Sequence, residues 1–353
     1  MSRKLIILTE GHSDPHTAKT ACSIIRYRPE EVVAVLDSTN VGKTTAEPLG
    51  VGETRIVAQL ADAPEANTLL IGIAPPGGKI PEPWRRVVLE AIDRGMNVVS
   101  GLHDFIGDDD EFARAADAKG VSLIDVRKNS EKTIARRTGI RNDCLRLLTV
   151  GHDCSIGKMV TSIEIAAGLK DRDIAAKFVA TGQTGIMVEG DGLPIDCVVA
   201  DFVSGAVERM VLEQQHHDVL VFEGQGSLVH PSYSAVTLGL LHGCLPHALV
   251  LCYEVLRDRV TGIDHMEIPD LTTIRHLNET MASIVFPCPV IAISMNSRRV
   301  DAAEAEQERR RMQDQFELPV VDVFRHGRDE LVDAITQFRD ESDWSSFDPN
   351  PAN

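Results

Sequence analysis

The apolar run Leu145-Arg-Leu-Leu-Thr-Val150 passes straight into Gly151-His-Asp-Cys-Ser-Ile-Gly-Lys-Met159, and no other feature narrows the fold as far. A strand, a glycine loop and a helix beginning near Gly157 follow in the order that builds an anion cradle. The glycines turn backbone N–H groups inward, the helix start contributes its positive end, and Lys158 adds a mobile charge. The candidate cradle is therefore Gly151, His152, Asp153, Cys154, Ser155, Ile156, Gly157, Lys158 and Met159. Five residues separate its glycines, one more than in the commonest phosphate-loop spacing. Met159 stands where a hydroxyl normally holds magnesium, and a thioether is a poor ligand for that hard cation. Thr161 or Asp201 could compensate; if neither does, the loop holds a diphosphate without efficiently hydrolysing it. The competing reading is a glycine-containing turn that binds nothing.

Short β-rich runs alternate with amphipathic stretches along the whole chain, the pattern of parallel sheets covered by helices. The first half offers KLIIL, EVVAVLD, TLLIGIA, NVVSGL and VSLIDV as strands, with helices around 15–27, 83–94 and 110–119. This predicts an open, Rossmann-like arrangement. A second series follows: RLLTVG, AAKFVAT, CVVADF, DVLVFEG, HALVLCY, PVIAISM and PVVDVF. The change from apolar to charged composition over 127–143 divides the chain into domains 1–135 and 136–338, with a frayed polar tail over 339–353.

At 353 residues the chain has room for two such cores. Its formal net charge of −17 argues against nucleic acid or an anionic membrane as the main partner. The apolar run before Glu10 is too short for a signal peptide, and no window approaches the ~18 apolar residues that span a bilayer. The expected setting is cytoplasmic. Seven scattered cysteines without a Cys-x-x-Cys pair point to reduced thiols and no structural zinc site. No metal ligand set is assigned. Self-association into a homo-oligomer is compatible with this architecture, though no heptad marks an interface.

Further polar groups fall at predicted strand ends, which in an open parallel sheet converge on one crevice. Asp201 ends CVVADF. Glu223 ends DVLVFEG and is followed by Gln225 and His230. Glu223 and His230 are candidates for acid–base chemistry, weighed against helix capping and packing beside Pro231. The stretch TGQTGIMVEGDG, 181–192, reads as a long loop that could cover a ligand. In the first domain Asp37 ends a strand, where an acid can grip a ribose or polar substrate. Ser38, Thr39, Asn40 and Lys43 offer contacts to a carboxylate or phosphate, or form an ordinary turn. The GKTT within this stretch lacks an upstream glycine partner and is rejected as a second nucleotide loop. His103, just past a strand, reads first as a structural histidine.

Taken together, LDSTNVGKT, APPGG, SGLH, GHDCSIGKM, TGQTG and EGQGSLVHP resemble a family of P-loop proteins that includes the bacterial D-glutamate N-acetyltransferases. The loop itself is similar to that of dethiobiotin-synthetase-like proteins. The resemblance runs from about residue 4 to 335. It implies an α/β protein with an N-terminal Rossmann-like parallel-sheet domain and a C-terminal P-loop NTPase-like parallel-sheet domain, acetyl-CoA as donor and a D-amino acid as acceptor. On that reading the cradle takes the pyrophosphate of coenzyme A, Glu223 or His230 removes the amine proton, and Lys43 or Arg127 pairs with acceptor carboxylates. The alternatives are an ATP- and magnesium-dependent ligase acting on a carboxylate, or a nucleotide-binding regulator without turnover.

Overall fold

A computed structural model describes residues 3–348. The chain divides into two compact units. One takes the chain up to Asn129 together with Gln183–Gly190, and the other takes Ser130–Gly182 and the chain from Asp191 onward.

In the first unit six parallel strands, β1 (Leu5–Leu8), β2 (Val32–Leu36), β3 (Ile56–Val57), β4 (Thr68–Ile71), β5 (Asn97–Ser100) and β6 (Leu123–Asp125), lie in the order β3-β2-β1-β4-β5-β6. This is the doubly wound order whose reversal point lies between β1 and β4. The helices are α1 (Lys19–Tyr27), the short α2 (Ala46–Leu49), α3 (Arg85–Asp93) and α4 (Asp110–Lys119). The α4 helix begins at Asp109, whose carboxylate accepts from the Glu111 and Phe112 amides, and ends at Gly120 in the left-handed region. β1 and β4 are buried along their whole length, as strands covered on both faces must be.

The second unit has its own six-stranded parallel sheet. β7 (Leu145–Gly151) is followed by α5 (Lys158–Lys170) and β8 (Ala176–Val179). After the segment α6 (Gln183–Glu189) come α7 (Val203–Gln214), β9 (Val219–Phe222), α8 (Ser234–Cys244) and β10 (Ala248–Glu254). A small antiparallel hairpin, β11 (Arg259–Val260) and β12 (Ile263–Glu267), precedes α9 (Leu271–Ala282), β13 (Val290–Asn296), α10 (Ala302–Phe316), β14 (Val320–Val321) and α11 (Asp329–Glu341). The sheet order is β14-β13-β10-β7-β9-β8, so the loop-bearing strand β7 is central between β10 and β9. No helix of the described residues is long and apolar enough to cross a membrane.

Three expectations fail locally. CVVADF is not a strand: 3-10 turns over Ile195–Cys197 and Ala200–Phe202 replace it, starting behind Pro194 and leaving Val199 exposed to solvent. A short apolar run does not by itself distinguish a strand from turns, and of this run only Val198 is buried. The stretch 181–192 is not an open cover, because its middle is the helix α6, a part of the first unit. Thr184 bonds Thr20 of α1 at 2.9 Å, and Arg28 donates to the last-turn carbonyls of Val188 and Glu189. A guanidinium at a helix C-terminus satisfies orphan carbonyls and opposes the dipole. The tail is ordered further than its composition suggests: α11 runs to Glu341, Trp344 is buried edge-on to His247, and Phe347 stacks on Phe286 at 5.2 Å. Residues 349–353 of that tail lie outside the described residues.

Candidate phosphate-binding site

β7 is buried along its whole length, the cation Arg146 included, so it delivers residues 151–158 to the carboxyl edge of the sheet at a fixed position. Gly157, with φ 114°, is the N-cap of α5, a backbone state that an L side chain resists. Ser155 also has positive φ, 55°, without being glycine. Such strain persists where surrounding structure enforces it and clusters at ligand-binding turns.

The loop is clamped from outside. His152 Nε2 accepts from the Glu254 amide at 2.8 Å, tying the ends of β7 and β10 together. Burial pushes its imidazole down to about 3, so it stays neutral. Asp153 is fully buried and accepts from the Thr261 hydroxyl at 2.6 Å, the Thr261 amide at 3.0 Å, Arg257 at 3.1 Å and the Cys154 amide at 2.7 Å. Burial pushes its carboxyl upward, but these donors outweigh it and hold the group below its usual value. Arg257 also donates to the Cys154 carbonyl, and Asn296, ending β13, donates to the Ile156 carbonyl at 3.3 Å.

The carbonyls and carboxylates of the loop are thus engaged on its outer side. Among the described residues, no protein acceptor is bonded to the amides of Ser155, Ile156 and Gly157. Lys158, also buried, donates to the Asp153 carbonyl at 2.6 Å, and burial lowers its pKa. An anion on the amides would restore to that ammonium the counter-charge that desolvation removes. The neighbouring strand end packs closely against this one: a Cβ on Gly224 would lie 1.7 Å from the Thr149 carbonyl oxygen and 3.0 Å from Lys158 Cδ.

Neither proposed substitute for the missing magnesium hydroxyl serves. Thr161 is buried and bonds Ser294 at 2.7 Å, and Ser162 donates to the Lys158 carbonyl. Asp201 is exposed in the turn before α7, not at a strand end. Asp153, Cys154 and His230 bring ligand-type atoms within 4.8 Å of one another. Their capacity is already spent, because Asp153 holds Arg257 and both His230 nitrogens are bonded. His230 Nε2 donates to the Thr261 carbonyl at 3.1 Å and Nδ1 accepts from the Ser232 amide at 3.2 Å. Occupied on both sides, His230 is a support for Thr261 and not a free base.

Glu223 lies at the end of β9, beside Lys158 in charge and space. Its Oε2 accepts from the Thr181 and Gly182 amides at 3.0 and 3.1 Å, and its Oε1 from Gln225 at 3.0 Å. The structure therefore brings Lys158, Glu223 and Gln225 to one strand edge. The residues singled out in the first unit behave differently. Asp37 accepts from Ser13, Gly11, Thr39 and Asn40, which hold it at about 2 against its burial. With its oxygens filled, it knits two turns together and does not grip a ribose. Ser38 is bonded to Glu10, Lys43 donates to Asn40 at 2.9 Å, and buried Arg127 donates to the Gly101 carbonyl at 2.7 Å.

The sequence matches a Rossmann-like domain over residues 38–129 and a P-loop domain over 132–332, the N- and C-terminal domains described under DUF1611, a domain of unknown function. The chain belongs to the DUF1611 family. Its sequence is 37% identical over 324 residues to a D-glutamate N-acetyltransferase from Tritonibacter scottomollicae, covering 91% of this chain and 95% of that one. It is 38% identical over 323 residues to a protein of the same name from a Pseudoalteromonas species, with the same coverage. A crystal structure of a DUF1611 family protein from Anabaena variabilis superposes with a TM-score of 0.89 at 36% identity, covering 95% of this chain and all of that one. The two-domain parallel α/β architecture of this DUF1611 chain is thus shared with a solved relative.

Glu254, Arg257, Thr261 and Asn296, the groups that clamp the DUF1611 loop, are not singled out by any motif, nor are Arg298 and Arg299, which contact Glu254. The signal was present in two places, since Glu254 ends HALVLCYE and Asn296 ends PVIAISMN, both strand ends at the loop's edge.

Proposed function

We propose that this protein transfers the acetyl group of acetyl-CoA to the amine of D-glutamate or a related D-amino acid. The observation that carries the reading is a cradle with open amides at 155–157 and a buried Lys158, followed by the thioether of Met159 where a magnesium-holding hydroxyl would stand. Such a cradle suits a ligand whose diphosphate is gripped and not cleaved. The names of the two relatives supply the reaction class.

When bound, acetyl-CoA supplies the activated acyl group as a thioester. The residues of this chain do the rest. The amides of Ser155, Ile156 and Gly157, with Lys158, fix the diphosphate portion. Glu223 receives the proton that the acceptor ammonium must lose before its nitrogen is nucleophilic, and the Gln225 amide and the turn at Thr181 orient that carboxylate. His230 acts through Thr261 and Asp153 to keep the loop in shape.

The test is release of free thiol from acetyl-CoA. Thiol should appear with D-glutamate, in the presence of chelator, in step with N-acetylated product. Magnesium-dependent phosphate release from ATP, stimulated by a carboxylate substrate and without thiol release, would overturn the proposal in favour of a ligase. Binding of either ligand without turnover would leave only a regulator.

A further inference from the structure

We propose that Arg298 and Arg299, which follow β13, bind the ribose 3′-phosphate of coenzyme A and so make the site select that ligand over nucleotides lacking the group. The inference rests on reading the loop as a coenzyme A site, and it adds a specificity subsite to it.

Three guanidinium groups converge on the fully buried carboxylate of Glu254, at the end of β10. Arg257 holds one oxygen through both Nε and Nη2, each at 2.5 Å, and its side chain is 6% exposed. Arg298 contacts the other oxygen through Nε, and Arg299 Nη2 reaches the first at 3.3 Å. Arg257, which also pairs with Asp153, reaches only that one oxygen, and Arg298 is the cation on the other. Arg299 is therefore in excess and Arg298 is engaged through Nε alone, and both differ from Arg257 in access: the Arg298 and Arg299 side chains are 42% and 45% exposed.

The backbone that carries them is tied to the cradle by two hydrogen bonds. The Arg298 amide donates to Asn296 Oδ1 at 3.2 Å, and Asn296 Nδ2 donates to the Ile156 carbonyl at 3.3 Å. An anionic group beside the diphosphate thus meets two planar forks whose geometry matches phosphate oxygens. A ligand with a single phosphate chain fills the cradle alone, whereas coenzyme A carries a second, separate phosphate on its ribose. When Arg299 turns to that group and Arg298 offers it the outer nitrogens of its guanidinium, Arg257 stays on Oε2 and Arg298 Nε on Oε1, so no buried carboxylate is left bare.

The experiment is calorimetric titration of the full chain, in chelator, with coenzyme A and with 3′-dephospho-coenzyme A. The wild type should bind coenzyme A more tightly by about tenfold or more, the scale of one charge-assisted hydrogen bond. The double variant Arg298→Ala, Arg299→Ala should bind both ligands alike, at the wild-type affinity for the dephospho form. Should that variant not fold, Arg299→Ala alone must still narrow the ratio. Equal wild-type affinities, or a ratio unchanged in the variants, overturn this inference while leaving the coenzyme A reading intact. Failure of both ligands to bind overturns that reading and this one together.

Discussion

In the first unit the turn after β1 gives the Gly11 amide and the Ser13 hydroxyl to Asp37, a carboxylate of the same chain. In the second the turn after β7 leaves the amides of Ser155, Ile156 and Gly157 without a protein acceptor and sets Lys158 behind them. Both turns occupy the carboxyl edge of a six-stranded parallel sheet. One has an anion built in, and the other has a place for an anion to arrive. The difference shows that a sheet edge rich in polar residues is not evidence of a site until its donors and acceptors have been matched with one another. It also predicts that changes at the first edge act on stability and changes at the second act on binding and chemistry.

The largest expected effect is at Glu223. Replacing a positioned general base costs about 10²–10⁴ in rate, so Glu223→Gln should reduce thiol release by that factor while coenzyme A affinity stays close to wild type. A variant as active as the wild type removes Glu223 from the chemistry. Lys158→Ala should cost about 1.5–3 kcal/mol in coenzyme A binding, measured by titration calorimetry. Its melting temperature should not fall, since a buried ammonium is removed. A stability loss with unchanged affinity would make the second edge resemble the first.

At the first edge, Asp37→Asn should destabilise the protein by about 2 kcal/mol at pH 7, from the displacement of the carboxyl to about 2 against an unperturbed 3.8. Because the folded pKa is depressed, this contribution is present above pH 3.8 and is lost as pH falls through about 2. Urea denaturation of wild type and variant should therefore converge in strong acid, and coenzyme A affinity at pH 7 should be the same in both. The smallest effect is expected of Lys43→Ala, whose exposed ammonium donates to Asn40: a stability change within about 0.5 kcal/mol. A raised KM for D-glutamate with unchanged kcat would still mark Lys43 as an acceptor contact made equally in ground and transition states.

Much of this was legible in the sequence where local chemistry decides the structure. Gly157 and Lys158 announce their turn because only a strand, a positive-φ glycine and a helix start in that order produce it. The buried parallel strands stand out as apolar runs. What was not legible depends on partners distant in the chain. Asp37 looked like a ligand hook because its donors come from four residues, Gly11, Ser13, Thr39 and Asn40, and two of these lie on another turn. His230 looked like a base because nothing in EGQGSLVHP reveals the Thr261 carbonyl that occupies its ring. The 183–189 helix read as a loop because Arg28, which satisfies its last carbonyls, is some 160 residues away. Arg298 and Arg299 carry no motif at all, and only the buried Glu254 gives them meaning.

A crystal structure of the chain with coenzyme A tests the central claim most directly. The account predicts the pyrophosphate against the backbone amides of Ser155, Ile156 and Gly157, with Lys158 Nζ moved from the Asp153 carbonyl to a phosphate oxygen. A pyrophosphate bound elsewhere, with Lys158 still on the Asp153 carbonyl, would contradict it.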